Sequence, residues 1–159
     1  MAEIILAKIA KARKPASRLM GLDLGLKTIG LALSDVSLMI ASPLGTIKRT
    51  KFTHDAATLE ALVDEHDVGG FVIGLPINMD GSEGPRCQST RQFAINLLER
   101  RDIPLAFWDE RLSTVAVERI LIEEIDMTRK RRAKVIDKAA ATYILQGALD
   151  ALQPLFHQS

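Results

Sequence analysis

From residue 18 onward the apolar positions alternate with a period of two and then shift to helical spacing. In LMGLDLGLKTIGLALSD the alternation predicts two strands, about 18 to 24 and about 28 to 34, joined by a tight turn at Gly25, Leu26 and Lys27. Leu22 and Leu24 then share one face, and Gly21 shares the other with Asp23. ASPLGTIKRT reads as a third strand, followed by a helix from about Thr53 to Glu65 with Leu59, Leu62 and Val63 inward. VGGFVIGLP is continuously apolar, which suits a strand covered on both faces. A glycine- and proline-rich loop from Pro76 to Gly84 leads to a helix starting at Pro85, with Phe93, Ala94, Leu97 and Leu98 inward. The run IPLAFWDE is a strand that turns acidic at its end. After it come a helix following Ser113, a basic loop, and a helix opened by Asp137 and running to about Leu152. The later strand-helix-strand steps need parallel crossovers, so the fold class is α/β, a mixed five-stranded sheet flanked by helices.

Three acids stand where these elements reach their ends. Asp23 lies in the first strand, Glu110 at the carboxyl edge of the last, and Asp137 at a helix start, where the dipole favours a negative charge. Asp137, Ala141, Ile144, Ala148 and Ala151 form one stripe at helical spacing, and the run Ala139 to Ala141 lets that helix approach the sheet closely. Converging carboxylates repel one another and hold protons unless cations neutralise them. Oxygen ligands without nearby His or Cys favour Mg²⁺ or Mn²⁺. A pair of such ions can activate water and stabilise the leaving oxygen of a phosphodiester, so hydrolysis of nucleic acid is the natural use. Taken singly, Glu110 reads more simply as a pre-helix acid and Asp137 as an N-cap. Their joint placement tips the balance.

With 159 residues, 47% hydrophobic and 26% charged, the chain forms one ordinary globular domain. Its net charge of +1 excludes a uniformly basic binder, so contact with nucleic acid must use local patches. One patch is Arg129, Lys130, Arg131, Arg132 and Lys134; another is Lys8, Lys11, Arg13, Lys14 and Arg18. The single Cys87 cannot form an intrachain disulfide, and the three histidines are too scattered for zinc. A reducing cytoplasm fits, and no run approaches membrane-spanning length. Residues 1–17 read as a short N-terminal extension, 18–152 as the domain, and 153–159 as a C-terminal tail.

The element order resembles the ribonuclease H-like fold. More narrowly, DLGLKTIGLALSD, GLPINMDGSEGPR, DERLST and IDKAAATYIL resemble the YqgF/RuvX family over about residues 18 to 152. Its members are described as Holliday-junction resolvases or as nucleases maturing the small-subunit (16S) ribosomal RNA precursor. The resemblance implies that Asp23, Glu110 and Asp137 are the catalytic and metal-binding triad, holding two Mg²⁺ or Mn²⁺ ions. It favours Glu110 over the neighbouring Asp109 as ligand. It also implies products with 5′-phosphate and 3′-hydroxyl ends.

Around that triad, Lys27, Arg86, Arg111, Arg129, Arg131 and Arg132 are the expected substrate contacts. All but Arg86 have a plainer reading: Lys27 as an exposed turn lysine, Arg111 in an ion pair with Asp109, the basic cluster as a solvated face. Asn78, Asp80 and Gly81 suit a turn, Ser113 and Thr114 helix caps, and Trp108 the core. Precursor ribosomal RNA is the first expected substrate, with ribosomal particles as partners, and branched DNA the second, which suits a homodimer better than a monomer. Two rivals belong to other classes. DLGLKTIG also suits the phosphate loop of an actin-like or sugar-kinase ATPase, but the chain is too short for a second lobe. A non-catalytic nucleic-acid-binding module is opposed by the intact triad.

Overall fold

The computed structural model describes residues 2–112 and 129–156, the side chains of residues 2–5, 7, 129–138 and 155–156 excepted. Their order is α1 (Ala2–Ala12), β1 (Arg18–Leu24), β2 (Thr28–Ser34), β3 (Ala41–Lys48), α2 (Phe52–His66), β4 (Val68–Leu75), α3 (Pro85–Arg100), β5 (Leu105–Asp109), a 3₁₀ turn (Glu110–Leu112) and α4 (Arg129–Phe156). The strands form one five-stranded sheet in the order β3-β2-β1-β4-β5. β1, β2 and β3 pair antiparallel, as their short connections require, whereas β1 pairs β4 and β4 pairs β5 in parallel. The expected mixed sheet flanked by helices is therefore observed.

Strand alternation divides the core in two. Met20, Leu22, Leu24, Ile29, Leu31, Phe71 and Ile73 pack against α2 and α3 through Leu59, Val63, Phe93 and Leu97. Leu19, Ala32, Val72, Ala106 and Trp108 pack on the other face against α1 and α4 through Leu6, Ile9, Ile144, Leu145 and Ala148. Each large apolar side chain so buried contributes roughly 1.5–3 kcal/mol. On the second face α4 comes very close to β1. A Cβ on Gly21 would lie 2.8 Å from Leu145 Cβ and 2.9 Å from the Ala141 carbonyl oxygen, so glycine there admits the backbone of α4.

Several expectations need correction. Residues 2–12, read only as an extension, form a helix whose Leu6 and Ile9 are buried in the core. The basic run at 129–134 belongs to α4 rather than to a loop, because RKRRAK contains neither Pro nor Gly and is rich in helix formers. Asp137 is consequently eight residues inside the helix and does not cap it, and the dipole, which acts within the first turn, no longer favours its charge. α4 also continues to Phe156, through residues expected to be tail, with the Gln153 amide donating to the Leu38 carbonyl at 2.7 Å. Leu98 is 41% exposed rather than inward, since Phe93, Ala94 and Leu97 already fill the buried stripe of α3. The helix expected after Ser113 lies outside the described residues, as do Ser113 and Thr114.

Candidate functional site

Asp23 is only 1% exposed, near the carboxyl end of the middle strand. Alternation from Gly21 puts it on the α4 face, and it pairs across β2 with Gly30. The second buried acid, Asp55, has a structural explanation: its carboxylate accepts from the Thr50 amide at 3.1 Å and the Thr50 hydroxyl at 3.0 Å, fastening the start of α2. Asp23 stands instead at the mouth of the sheet.

Parallel pairing fixes what lies beside it. Leu22 pairs with Ile73 and Gly74 with Trp108, so Gly74 is the neighbour of Asp23 on β4, and Glu110 follows just beyond β5 on the same face. Glu110 Oε1 sits 2.8 Å from the position that a Cβ on Gly74 would occupy. The carboxylate therefore lies over β4, the strand that separates it from Asp23. The glycine leaves the space in which it rests.

α4 brings the third acid to the same edge. Ala141 and Leu145 lie over Gly21, while Gln146, further along the helix, accepts from the Ala41 amide at 2.8 Å, and Ala41 pairs with Ser34 near the amino end of β1. The helix thus runs antiparallel to β1. Asp137 precedes Ala141 by about 6 Å of helix, and Asp23 follows Gly21 by about 6.6 Å of strand. Asp137 therefore lies toward the same end of β1 as Asp23. The side chain of Asp137 lies outside those described, and among the described residues no group of three His, Cys, Asp or Glu is assembled.

Asp109, the rival acid, is engaged elsewhere. The Arg111 guanidinium grips its carboxylate at 2.7 Å and, with the Arg111 amide, holds its pKa below the usual carboxylate value. Arg111 is thus in an ion pair, the plainer of its two readings, and also leans toward the Asn78 carbonyl at 3.4 Å. Asn78, Asp80 and Gly81 build the loop turn through Gly81 N–H to Asn78 O (2.8 Å) and Ser82 N–H to Asp80 Oδ1 (2.9 Å). Lys27 and Arg86 are exposed at the same edge, and Arg86 donates to the Leu24 carbonyl at 3.4 Å. The side chains of Arg129, Arg131 and Arg132 lie outside those described. Trp108 is buried as expected, its ring packed on Gly147 of α4.

Oxygen dominates the available donors. Cys87 is buried, and desolvation, with Glu83 behind it, raises its thiol pKa, so it offers no thiolate there. Buried and half-buried carboxylates on a small-residue face suit a hard divalent cation such as Mg²⁺ or Mn²⁺ and do not suit zinc.

The profile of the RuvX family, described as Holliday junction resolvase, matches residues 17–151. The chain belongs to the RuvX family. Two similar family proteins are each named "Putative pre-16S rRNA nuclease". That of Paramagnetospirillum magneticum is 68% identical over 84% of this chain and 85% of its own. That of Phenylobacterium zucineum is 58% identical over 98% of this chain and 100% of its own, α1 included. Among solved structures, Thermus thermophilus RuvC in complex with Holliday junction substrate superposes with a TM-score of 0.55 at 12% identity, covering 87% of this chain and 96% of that one. The yeast mitochondrial Holliday junction resolvase does so with a TM-score of 0.50 at 14% identity, over 96% and 87%. At such identities the likeness establishes the ribonuclease H-like fold.

Proposed function

We propose that this RuvX-family chain is a nuclease that uses Mg²⁺ or Mn²⁺ to hydrolyse phosphodiester bonds in the small-subunit ribosomal RNA precursor, with Asp23, Glu110 and Asp137 as its carboxylates. The observation that carries the reading is the Glu110 carboxylate lying over Gly74, beside the buried Asp23. The place of Asp137 on α4, toward the same end of β1 as Asp23, supports its membership of the triad. When bound, the ions supply activation of water and neutralisation of charge at the scissile phosphate. Asp23 would hold them from the sheet, Glu110 from beyond β5, and Asp137 from the helix. Fixing three acids on packed elements provides the rigidity that in-line attack demands. Lys27, Arg86 and the Arg129, Arg131 and Arg132 cluster attract the backbone phosphates, and Arg111 neutralises the Asp109 carboxylate that would otherwise repel them.

The RNA reading is favoured by the names of the relatives and places the chain in the cytoplasm among ribosomal particles. No described helix is long and apolar enough to cross a membrane. Branched DNA is the second reading, favoured by the family description. Cleavage of a precursor ribosomal RNA segment, an unrelated RNA strand and a four-way DNA junction under Mg²⁺ tests both. The precursor should be cut fastest, leaving 5′-phosphate and 3′-hydroxyl ends. Faster, paired cuts in the junction would transfer the assignment to resolution, and binding without cleavage of any of the three would leave only a binding module.

A further inference from the structure

A cavity of about 230 Å³ opens between the β1–β2 turn and the first turns of α3, directly beyond Asp23 along the chain. Two guanidinium groups line it, with Gly25, Ser89 and Thr90. Arg49 Nη1 donates to the Gly25 carbonyl at 2.7 Å, and the Arg49 guanidinium lies 5.7 Å from the centre of the Phe93 ring. Arg86 Nη2 donates to the preceding carbonyl, Leu24, at 3.4 Å. Two positive charges are thus held on consecutive carbonyls next to the acidic site.

Four arginines elsewhere on the α3 side of the sheet and beyond β5 differ electrostatically from these two. Arg91, Arg100, Arg101 and Arg111 pair with Glu83, Glu60, Asp64 and Asp109. Among the described residues, neither Arg49 nor Arg86 has a carboxylate within ion-pair distance. Carbonyls and a ring face orient a guanidinium without cancelling its charge, which leaves the remaining N–H donors of the fork for an anion from outside. The α3 N-terminus adds a favourable dipole on the same side of the cavity.

We propose that this cavity seats a backbone phosphate of the substrate strand, neighbouring the scissile one and gripped by Arg49 and Arg86; this rests on the nuclease reading for the identity of the strand. Leu24 faces α2 and α3, whereas Asp23 faces α4. The strand accordingly crosses the carboxyl edge of the sheet over the β1–β2 turn, with the scissile phosphate on one side and the gripped phosphate on the other. The pocket thereby sets the direction in which the strand is threaded.

Binding of a fluorescent single-stranded RNA, measured in EDTA over a range of salt, isolates the pocket from cleavage. Arg86→Gln and Arg49→Gln should each weaken binding about tenfold and reduce the salt slope by about 0.7, the value for one fewer neutralised phosphate on a single strand. Arg49→Lys should recover part of the affinity, since it keeps a charge but loses the fork. Arg86 is exposed, so its variant should melt with the wild type, and Arg49→Lys guards against the case in which Arg49→Gln unfolds. Unchanged slopes in Arg86→Gln and Arg49→Lys would overturn the proposal and leave both residues as clamps on the turn. Displacement of the RNA by an equal concentration of inorganic phosphate would also overturn it, because the cavity would then hold a free ion rather than a strand. RNA that binds through these arginines but is never cut under Mg²⁺ would sink the nuclease reading while the pocket stands.

Discussion

Gly74→Ala separates the geometry of the carboxylates from the stability of the fold. Its new Cβ would lie 2.8 Å from Glu110 Oε1 and 3.1 Å from Ile144 Cγ1, and it would press harder still on Ile144 Cδ1. Favourable non-bonded contacts begin at about 3.5 Å, so something must move by about 0.7 Å. The backbone itself can accept alanine, because Gly74 is not among the glycines with positive φ. Overpacking costs about 1–3 kcal/mol, less about 0.4–1 kcal/mol regained by restricting the unfolded chain. At about 2–4 °C per kcal/mol for a chain of this size, Tm should fall by no more than about 10 °C. The Glu110 carboxylate, displaced by up to about 1 Å, should lose about 100-fold in kcat, the penalty typical of such misplacement. The double variant Gly74→Ala with Ile144→Val removes the Cδ1 conflict and leaves the one with Glu110. Thermal melts, single-turnover cleavage and Mn²⁺ titration of the three proteins distinguish the outcomes. Stability should recover in the double variant while cleavage and Mn²⁺ affinity stay low. Recovery of both would refute the reasoning, since the defect would then lie in the packing of α4 rather than at Glu110.

Replacing Arg129, Arg131 and Arg132 together with Ala should weaken RNA binding and flatten its salt dependence by about 0.7 for each phosphate no longer neutralised, read by anisotropy titration; an unaltered slope would reduce the cluster to a solvated helix face. Leu6→Ala, which empties a buried site between α1 and the rest of the core, should cost about 2–5 kcal/mol in denaturant unfolding, and a change below about 0.5 kcal/mol would mean that α1 lies outside the cooperative unit. The Asp109 carboxyl is held below its ordinary value mainly by Arg111, so this pair contributes stability above the unfolded pKa and loses it as pH falls through the folded one. Asp109→Asn should therefore flatten the acid limb of the stability curve, and an unchanged limb would remove the pair from the acid response.

Most of the sheet was legible because alternation is a local property. Gly21 and Asp23 share a face whatever the rest of the chain does, and the α4-facing side of β1 follows from them. The start of α4 was not legible, because a run of Arg and Lys carries no hydrophobic period, and Asp137 looked like the first signal of a helix that had begun two turns earlier. α1 was hidden for a related reason: Leu6 and Ile9 among lysines mark a face but not the surface that covers it. Glu110 was identifiable as a strand-end acid, but the space that admits it was not. Within VIGLP, Gly74 reads as one more position of a buried strand, and only the β4–β5 register sets it beneath the carboxylate. Arg49 follows an edge strand and gives no sign in sequence that its guanidinium turns back to Gly25.

The most direct measurement is cleavage of an end-labelled precursor ribosomal RNA strand under Mg²⁺ by the wild type, Asp23→Asn and Asp137→Asn, with binding of the same strand followed in EDTA. Each variant keeps the shape and removes one charge that a hard cation needs. Asp137 does not cap α4, so loss of helix capping cannot account for a defect in its variant. The wild type should release products with 5′-phosphate ends, and both variants should bind the strand and leave it intact. Cleavage by either variant at the wild-type rate would contradict the three-carboxylate centre.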